Sequence, residues 1–415
     1  MRLLRIAPSM WRMNAPDPSP LLIEDFPHTP RSLRVALVSE TYAPEVNGVA
    51  LTLERMVHGL RARGHDLQVV RSRQAGTDQP SAQAGLEQVL MRSLPIPNYP
   101  QVRFGLPAKS ALLRLWSLRR PDLVHIATEG PLGWSALQAA RKLKLPVSTD
   151  FHTNFHAYSR HYGVGWLQKP IAAYLRKFHN GADCTLVPTA SLKAELQALG
   201  FERLLVVGRG VDTQRFNPAQ RNPALRAAWG AADDDCVVLF VSRLAAEKNL
   251  NLLAQAFAAM QQVQPRCKLV LVGDGPERAH VQALCPQAVV CGMRTGTDLA
   301  QHYASADVFL FPSQTETYGN VIPEAMASGL AVLAYDYAAP AELIAHQQSG
   351  LLAPFGDSAR FIEQARQLAA QPELVQALRR AARARTEALD WGQIVQQTEY
   401  LWLQMLKESA GTRPA

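Results

Sequence analysis

The stretch Ser313-Gln-Thr-Glu-Thr-Tyr-Gly-Asn-Val-Ile-Pro-Glu-Ala-Met-Ala-Ser-Gly329 decides how the rest of the chain is read. The apolar run before it, Asp307-Val-Phe-Leu-Phe311, predicts a buried parallel strand. Pro312 ends that strand, and the pattern predicts a helix from near Tyr318 to Gly329, a residue type suited to a helix C-terminus. A strand, a loop and a helix then place free N–H groups over the strand's end. Unpaired amides and the macrodipole both favour negative charge there. Two carboxylates bracket the site, Glu316 in the loop and Glu324 about two turns further on. A ligand with a phosphate between two hydroxyl-bearing groups fits this layout.

The 415 residues predict two or three domains with large cores. Hydrophobic content of 47% and charged content of 19% describe a soluble globular protein. No apolar run approaches the roughly 18–20 residues of a membrane span. The five cysteines (Cys184, Cys236, Cys267, Cys285, Cys291) show no C-x-x-C spacing, which predicts reduced thiols and a cytoplasmic protein. Net charge is +8, unevenly shared. Residues 1–210 hold 26 basic against 15 acidic side chains, or +11; residues 211–415 hold 17 against 20, or −3. A basic first half points to an acidic partner for that half alone. No nucleic-acid module is present, so an anionic membrane surface, at the inner face of the cell membrane, is the expected partner.

Residues 1–31 read as a flexible arm. Met1-Arg-Leu-Leu-Arg-Ile6 starts like a signal peptide, but its apolar run is too short and Pro-rich polar sequence follows. A weak interfacial anchor using Leu3, Leu4, Ile6 and Trp11 is the alternative. From Leu33 a βαβ rhythm begins, with strands predicted near 33–38, 67–70, 88–91, 122–126, 146–149, 184–188 and 204–207. After Gly208-Arg-Gly-Val-Asp212 the rhythm restarts at Cys236-Val-Val-Leu-Phe-Val241, with further strands near 268–272, 287–291, 307–311 and 331–335. The expected domains are therefore 32–208 and 209–390. Lys109–Arg120 combines an apolar set (Leu112, Leu113, Leu115, Trp116, Leu118) with four basic residues. It reads either as a lipid-interface helix or as a helix packed on the sheet.

Glu316-x7-Glu324 followed by Ala-Met-Ala-Ser-Gly resembles the signature of retaining glycosyltransferases of family 4. The resemblance implies the GT-B fold, an α/β architecture of two Rossmann-like, doubly wound parallel-sheet domains facing a cleft. In that fold the last helix crosses back to the first domain, and residues 391–408 are the candidate. The resemblance further implies that Glu316 touches the donor sugar and Glu324 the nucleotide ribose. The amides of Tyr318, Gly319, Asn320 and Val321 between them would bind the diphosphate. Arg243 and Lys248, in Val241-Ser-Arg-Leu-Ala-Ala-Glu-Lys248, match the cations that hold the diphosphate.

Gly273 and Gly275, in Val272-Gly-Asp-Gly-Pro276, permit close backbone approach at a strand-to-helix turn. Gly292 and Met293 lie where the family reads the base. Asn47 and Gly48 stand in the first loop, where many members have paired glycines, and no G-x-G-x-x-G fingerprint is present. His152 matches a histidine that contacts donor sugar and phosphate. His156 and His161 with Asp150 match no standard metal spacing. Asp233-Asp-Asp235 precedes a strand as a polar turn.

The resemblance thus implies a cytoplasmic, metal-independent hexosyltransferase with no cofactor. Its donor would be GDP-mannose or a UDP-hexose. Its acceptor would be a lipid or saccharide hydroxyl, since Gly292–Asp307 resembles lipid-directed sulfoquinovosyl- and mannosyltransferases. A nucleotide-sugar epimerase of the same fold and a non-catalytic two-lobed sugar-binding protein are the alternatives.

Overall fold

Residues 35–38 and 237–241 are uninterrupted aliphatic or aromatic runs, and each lies fully buried at the middle of a parallel sheet. The computed structural model describes residues 32–45, 47–96, 99–152 and 168–411. The first part runs β1 (Arg34–Ser39), α1 (Gly48–Ala62), β2 (Asp66–Ser72), β3 (Ala82–Gln83), β4 (Leu86–Met91), β5 (Ser93–Ile96), β6 (Tyr99–Gly105), α2 (Lys109–Leu118), β7 (Leu123–Ile126), α3 (Pro131–Lys142), β8 (Val147–Asp150), α4 (Gln168–His179), β9 (Cys184–Val187), α5 (Ala190–Ala198) and β10 (Leu204–Val206). After α6 (Pro223–Ala228) the second part runs β11 (Val237–Val241), α7 (Leu250–Val263), β12 (Lys268–Val272), α8 (Arg278–Leu284), β13 (Val289–Gly292), α9 (Gly296–Ala304), β14 (Val308–Phe311), α10 (Val321–Ala327), β15 (Ala331–Tyr335), α11 (Ala338–Leu343), β16 (Leu351–Ala353), α12 (Ser358–Ala370), α13 (Pro372–Thr386) and α14 (Trp391–Gly411).

The first sheet has strand order β10-β9-β8-β7-β1-β2-β4-β3 and is parallel except at the β3–β4 edge. The second, β13-β12-β11-β14-β15-β16, is parallel throughout. Both sheets reverse their winding at the first strand: β1 lies between β2 and β7, and β11 between β12 and β14. The crevices beyond the carboxyl ends of β1, β7, β11 and β14 are therefore where ligands of such sheets bind. The β5–β6 hairpin is antiparallel and was invisible in the sequence pattern, because Pro95 and Pro100 break the strand signal.

Helix α14 packs on the first part of the chain. Trp402, Leu403 and Met405 join its core, and Val395 presses so closely on α1 that a Cβ at Gly59 would lie 2.5 Å from the Val395 Cγ2 atom. His65 secures the contact: its Nδ1 accepts from the Leu33 amide (3.0 Å), leaving Nε2–H for Glu399 (3.0 Å). Helix α2 buries Leu112 and Trp116 in the core, and the Trp116 indole donates to Gln68 (3.1 Å). Of its apolar set only Leu118 is fully outside, at 87% exposed. The packed-helix reading of this segment is the one realised, with Lys109, Arg114, Arg119 and Arg120 as an exposed basic edge.

The second part is pinned by one buried carboxylate. Asp307 Oδ1 accepts from Arg221 (3.1 Å) and Arg379 (2.9 Å); Oδ2 accepts from Arg226 (3.0 Å) and the Val237 amide (3.0 Å). This joins the segment before α6, α6 itself, β11 and α13 at the foot of β14. It lies at the opposite end of that strand from the Ser313–Gly329 loop.

Candidate active site

The helix within the Ser313–Gly329 stretch is shorter than its pattern predicts. It begins at Val321, because Gly319 adopts φ +98° and cannot continue a right-handed helix. It ends at Ala327, with Gly329 left-handed (φ +73°) just beyond. Tyr318, Gly319 and Asn320 thus form a turn over the end of β14.

Beside this turn, Glu316 Oε1 accepts from Lys248 Nζ and from Ser313 Oγ (2.9 Å). Both members of the Lys248–Glu316 ion pair are sheltered, with side chains 13% and 15% exposed. Arg243 pairs with Glu247 and is more open, at 58%. Glu324 points inward, where its Oε2 accepts from the Tyr303 hydroxyl (3.0 Å). Burial raises the Glu324 carboxyl to about 7, against the Tyr303 hydrogen bond that lowers it.

The turns after β11 and β12 stack back to back. Leu244 N donates to Asp274 O and Glu277 N to Leu244 O, both at 3.0 Å. At Gly273 (φ +134°) a Cβ would stand 1.9 Å from Ser242 O, so only glycine fits. The Gly273 amide donates to Gly292 O (2.9 Å), which ties Gly292 to the same turn. Met293 is exposed (65%), and Arg294 folds back on Cys291 O and Asp298.

Across the cleft, Asn47 caps α1: Oδ1 accepts from Ala50 N (2.8 Å) and Nδ2 reaches Thr41 (2.6 Å) and Glu45 (2.7 Å). Its amide is committed to holding the loop. Gly48 O faces Asn320 Nδ2 (3.4 Å), Thr317 Oγ1 donates to His152 O (2.9 Å), and Tyr318 OH donates to Arg209 O (3.3 Å). The turn after β14 therefore meets residues 48, 152 and 209 at once. Val321 and Gly275 sit in the flanking backbone. Further along, Gly292 ends β13 and Met293 follows it.

Two features escaped the sequence reading. Arg209 has no role in the sequence reading, although a lone cation between Gly208 and Gly210 at a strand end is a usable signal. Asp150 was weighed only as a metal ligand, whereas its Oδ2 lies 3.2 Å from both His125 Nε2 and His152 Nε2. Among the described residues no group of three or more His, Cys, Asp or Glu is placed to hold a metal ion. His156 and His161 lie outside the described residues. Deeper in the first part, Glu40 accepts from Leu132 N (2.9 Å) at the start of α3 and is raised by burial to about 7.

This arrangement offers two cations, a set of amides and two sheltered carboxylates to a phosphorylated ligand between two lobes. Residues 46–215 match the family model described as Glycosyltransferase Family 4, and residues 235–371 that of Glycosyl transferases group 1. A GDP-mannose-dependent alpha-mannosyltransferase of Mycobacterium tuberculosis is 37% identical over 332 residues, covering 78% of this chain and 85% of that protein. An alpha-monoglucosyldiacylglycerol synthase of Streptococcus pneumoniae is 28% identical over 334 residues, covering 77% and 75%. The sucrose-phosphate synthase structure from Thermosynechococcus elongatus superposes with a TM-score of 0.74 at 20% identity, covering 91% of this chain and all of that one.

Proposed function

The chain belongs to glycosyltransferase family 4 and has the GT-B fold, and from that premise we propose that it transfers mannose from GDP-mannose with retention of anomeric configuration and without a metal ion. The coarser activity, hexosyl transfer from a nucleotide sugar to a lipid or saccharide hydroxyl, is that of its family. The observation that carries the donor assignment is the 37% identity to a GDP-mannose-dependent enzyme over 332 residues.

In this reading Lys248 and Arg243 neutralise the departing diphosphate, together with the amides from Tyr318 to Val321. Glu324 holds the ribose and Glu316 the sugar. The acceptor hydroxyl approaches from the side of the leaving group, and a phosphate oxygen takes its proton. No protein nucleophile is needed; positioning and charge stabilisation supply the catalysis. The test is transfer of labelled mannose to membrane lipids in the presence of EDTA, with the product's anomeric coupling read by NMR. Transfer persists with the chelator. Activity abolished by EDTA and restored only by Mn²⁺ or Mg²⁺ would sink the mechanism.

Glu324 makes donor binding pH-dependent. Its folded-state value of about 7 lies above the ordinary 4.5, so its contribution to stability is complete below pH 4.5 and lost as the pH rises through 7. The ionised form accepts ribose hydroxyls best. The KM for donor therefore falls as the pH rises through about 7. Glu324→Gln removes that slope and raises KM more than it lowers kcat, because the ribose changes little during reaction. An unchanged slope in the variant would place the ribose elsewhere.

The acceptor side is basic, and no helix among the described residues is long and apolar enough to cross a membrane. We assign the acceptor to an anionic membrane surface at the cytoplasmic face, reached through the exposed basic edge at Lys109, Arg114 and Arg120. Each basic residue there adds about 1 kcal/mol. Co-sedimentation with anionic vesicles should be strong at low salt and weak at high salt; absence of binding at low salt makes a soluble acceptor the better reading.

A further inference from the structure

The imidazole of His152 is hydrogen-bonded at Nδ1, while Nε2 lies close to a carboxylate without a hydrogen bond of its own. Nη2 of Arg209 lies 2.7 Å from Nδ1, and Oδ2 of Asp150 lies 3.2 Å from Nε2. A guanidinium can only donate, so Nδ1 carries the lone pair and the ring proton sits on Nε2, towards Asp150. The same carboxylate oxygen meets His125 Nε2 at 3.2 Å, and His125 Nδ1 lies 2.9 Å from Ser148 Oγ. The side chains of His152 and Asp150 are only 7% and 10% exposed, so water competes poorly for these contacts. The turn after β14 touches both ends of the pair, at His152 O and Arg209 O.

We propose that Arg209 is a positioning residue for the transfer reaction: by holding Nδ1 unprotonated, it fixes His152 as the neutral Nε2–H imidazole within the cleft. The role in turnover rests on the reading that puts the donor beside His152. The tautomer does not. A ring fixed in this way cannot act as a base, since one nitrogen is protonated and the other is bound to a cation. That agrees with a reaction whose acceptor proton leaves on phosphate. It also keeps an imidazolium out of the site, so that His152 adds no charge of its own to the balance of the diphosphate.

The charged groups facing His152 among the described residues act in both directions. Burial and the Arg209 guanidinium lower its pKa, while Asp150 at Nε2 and Glu129 in the loop after β7 raise it. Removing Arg209 leaves the two carboxylates as the nearest charges, so the ring of an Arg209→Gln variant gains a proton more readily. Arg209→Lys keeps a donor and a positive charge but loses the planar fork.

Long-range ¹H–¹⁵N spectra of ¹⁵N-histidine-labelled protein, with His152→Asn to assign the signal, report the tautomer without any substrate. The expected wild-type ring has an unprotonated Nδ1 and titrates below the ordinary histidine range, because burial and the Arg209 guanidinium disfavour the imidazolium. In Arg209→Gln its titration moves to higher pH, and kcat falls roughly ten- to a hundredfold, most steeply on the acid side. Arg209→Lys recovers part of the rate. A wild-type ring protonated at Nδ1 overturns the proposal whatever the donor proves to be. A folded Arg209→Gln with wild-type kcat at every pH overturns it as well. A mistaken donor changes neither the tautomer nor its titration.

Discussion

Replacing Lys248 by Met lowers kcat about a hundred- to a thousandfold, the scale seen when one preorganised donor to a developing negative charge is removed. Lys248 stands at the end of the short turn after β11, sheltered, with its ammonium on Glu316. Met keeps the length and apolar stem and removes only the charge. In the proposed mechanism, departure of the nucleoside diphosphate places negative charge where this ammonium lies, in a cleft where water screens it weakly. The effect should fall on kcat, because the charge grows towards the transition state.

Glu316→Gln should also act mainly on kcat. It removes a charged hydrogen bond worth about 1.5–3 kcal/mol, or roughly ten- to a hundredfold in rate. Because the two side chains share a bond, the double variant should lose less than the product of the single losses. Kinetics of the three folded proteins decide this. Near-wild-type kcat in Lys248→Met would show that the diphosphate is held elsewhere.

Asp307→Asn destabilises the protein by about 3–5 kcal/mol, the cost of removing one partner from a buried ionic network. Three guanidiniums converge on this carboxylate, and Arg226 is itself almost wholly buried. Asparagine keeps the shape but can neither balance that charge nor accept at both oxygens. At about 2–4 °C per kcal/mol for a unit of this size, Tm falls by roughly 6–20 °C. The kcat of protein still folded at low temperature stays close to wild type, because the network lies at the foot of β14 and the Lys248–Glu316 pair at its other end. A Tm unchanged in Asp307→Asn would mean that the arginines find other partners.

Much of this was legible in the chain because local rules govern it. The buried runs at residues 35–38, 237–241 and 308–311 announce parallel strands covered on both faces, since such strands have no solvent side to alternate with. The Gly273 turn and the left-handed Gly329 follow from backbone geometry that only glycine enters freely. The Glu316–Glu324 spacing and the Arg243–Lys248 turn could be read because each falls within one continuous strand, loop and helix. Tertiary structure decided what meets across long separations. Arg209 reaches a histidine 57 residues away, and Asp307 gathers arginines 86, 81 and 72 residues distant. Asn47 proves to be a helix cap, and the apolar side of α2 finds the sheet. Periodicity reports which side of an element is buried, but the partner depends on strand order and on how the lobes meet. Those are set by the packing of the whole chain, and no short window of sequence contains them.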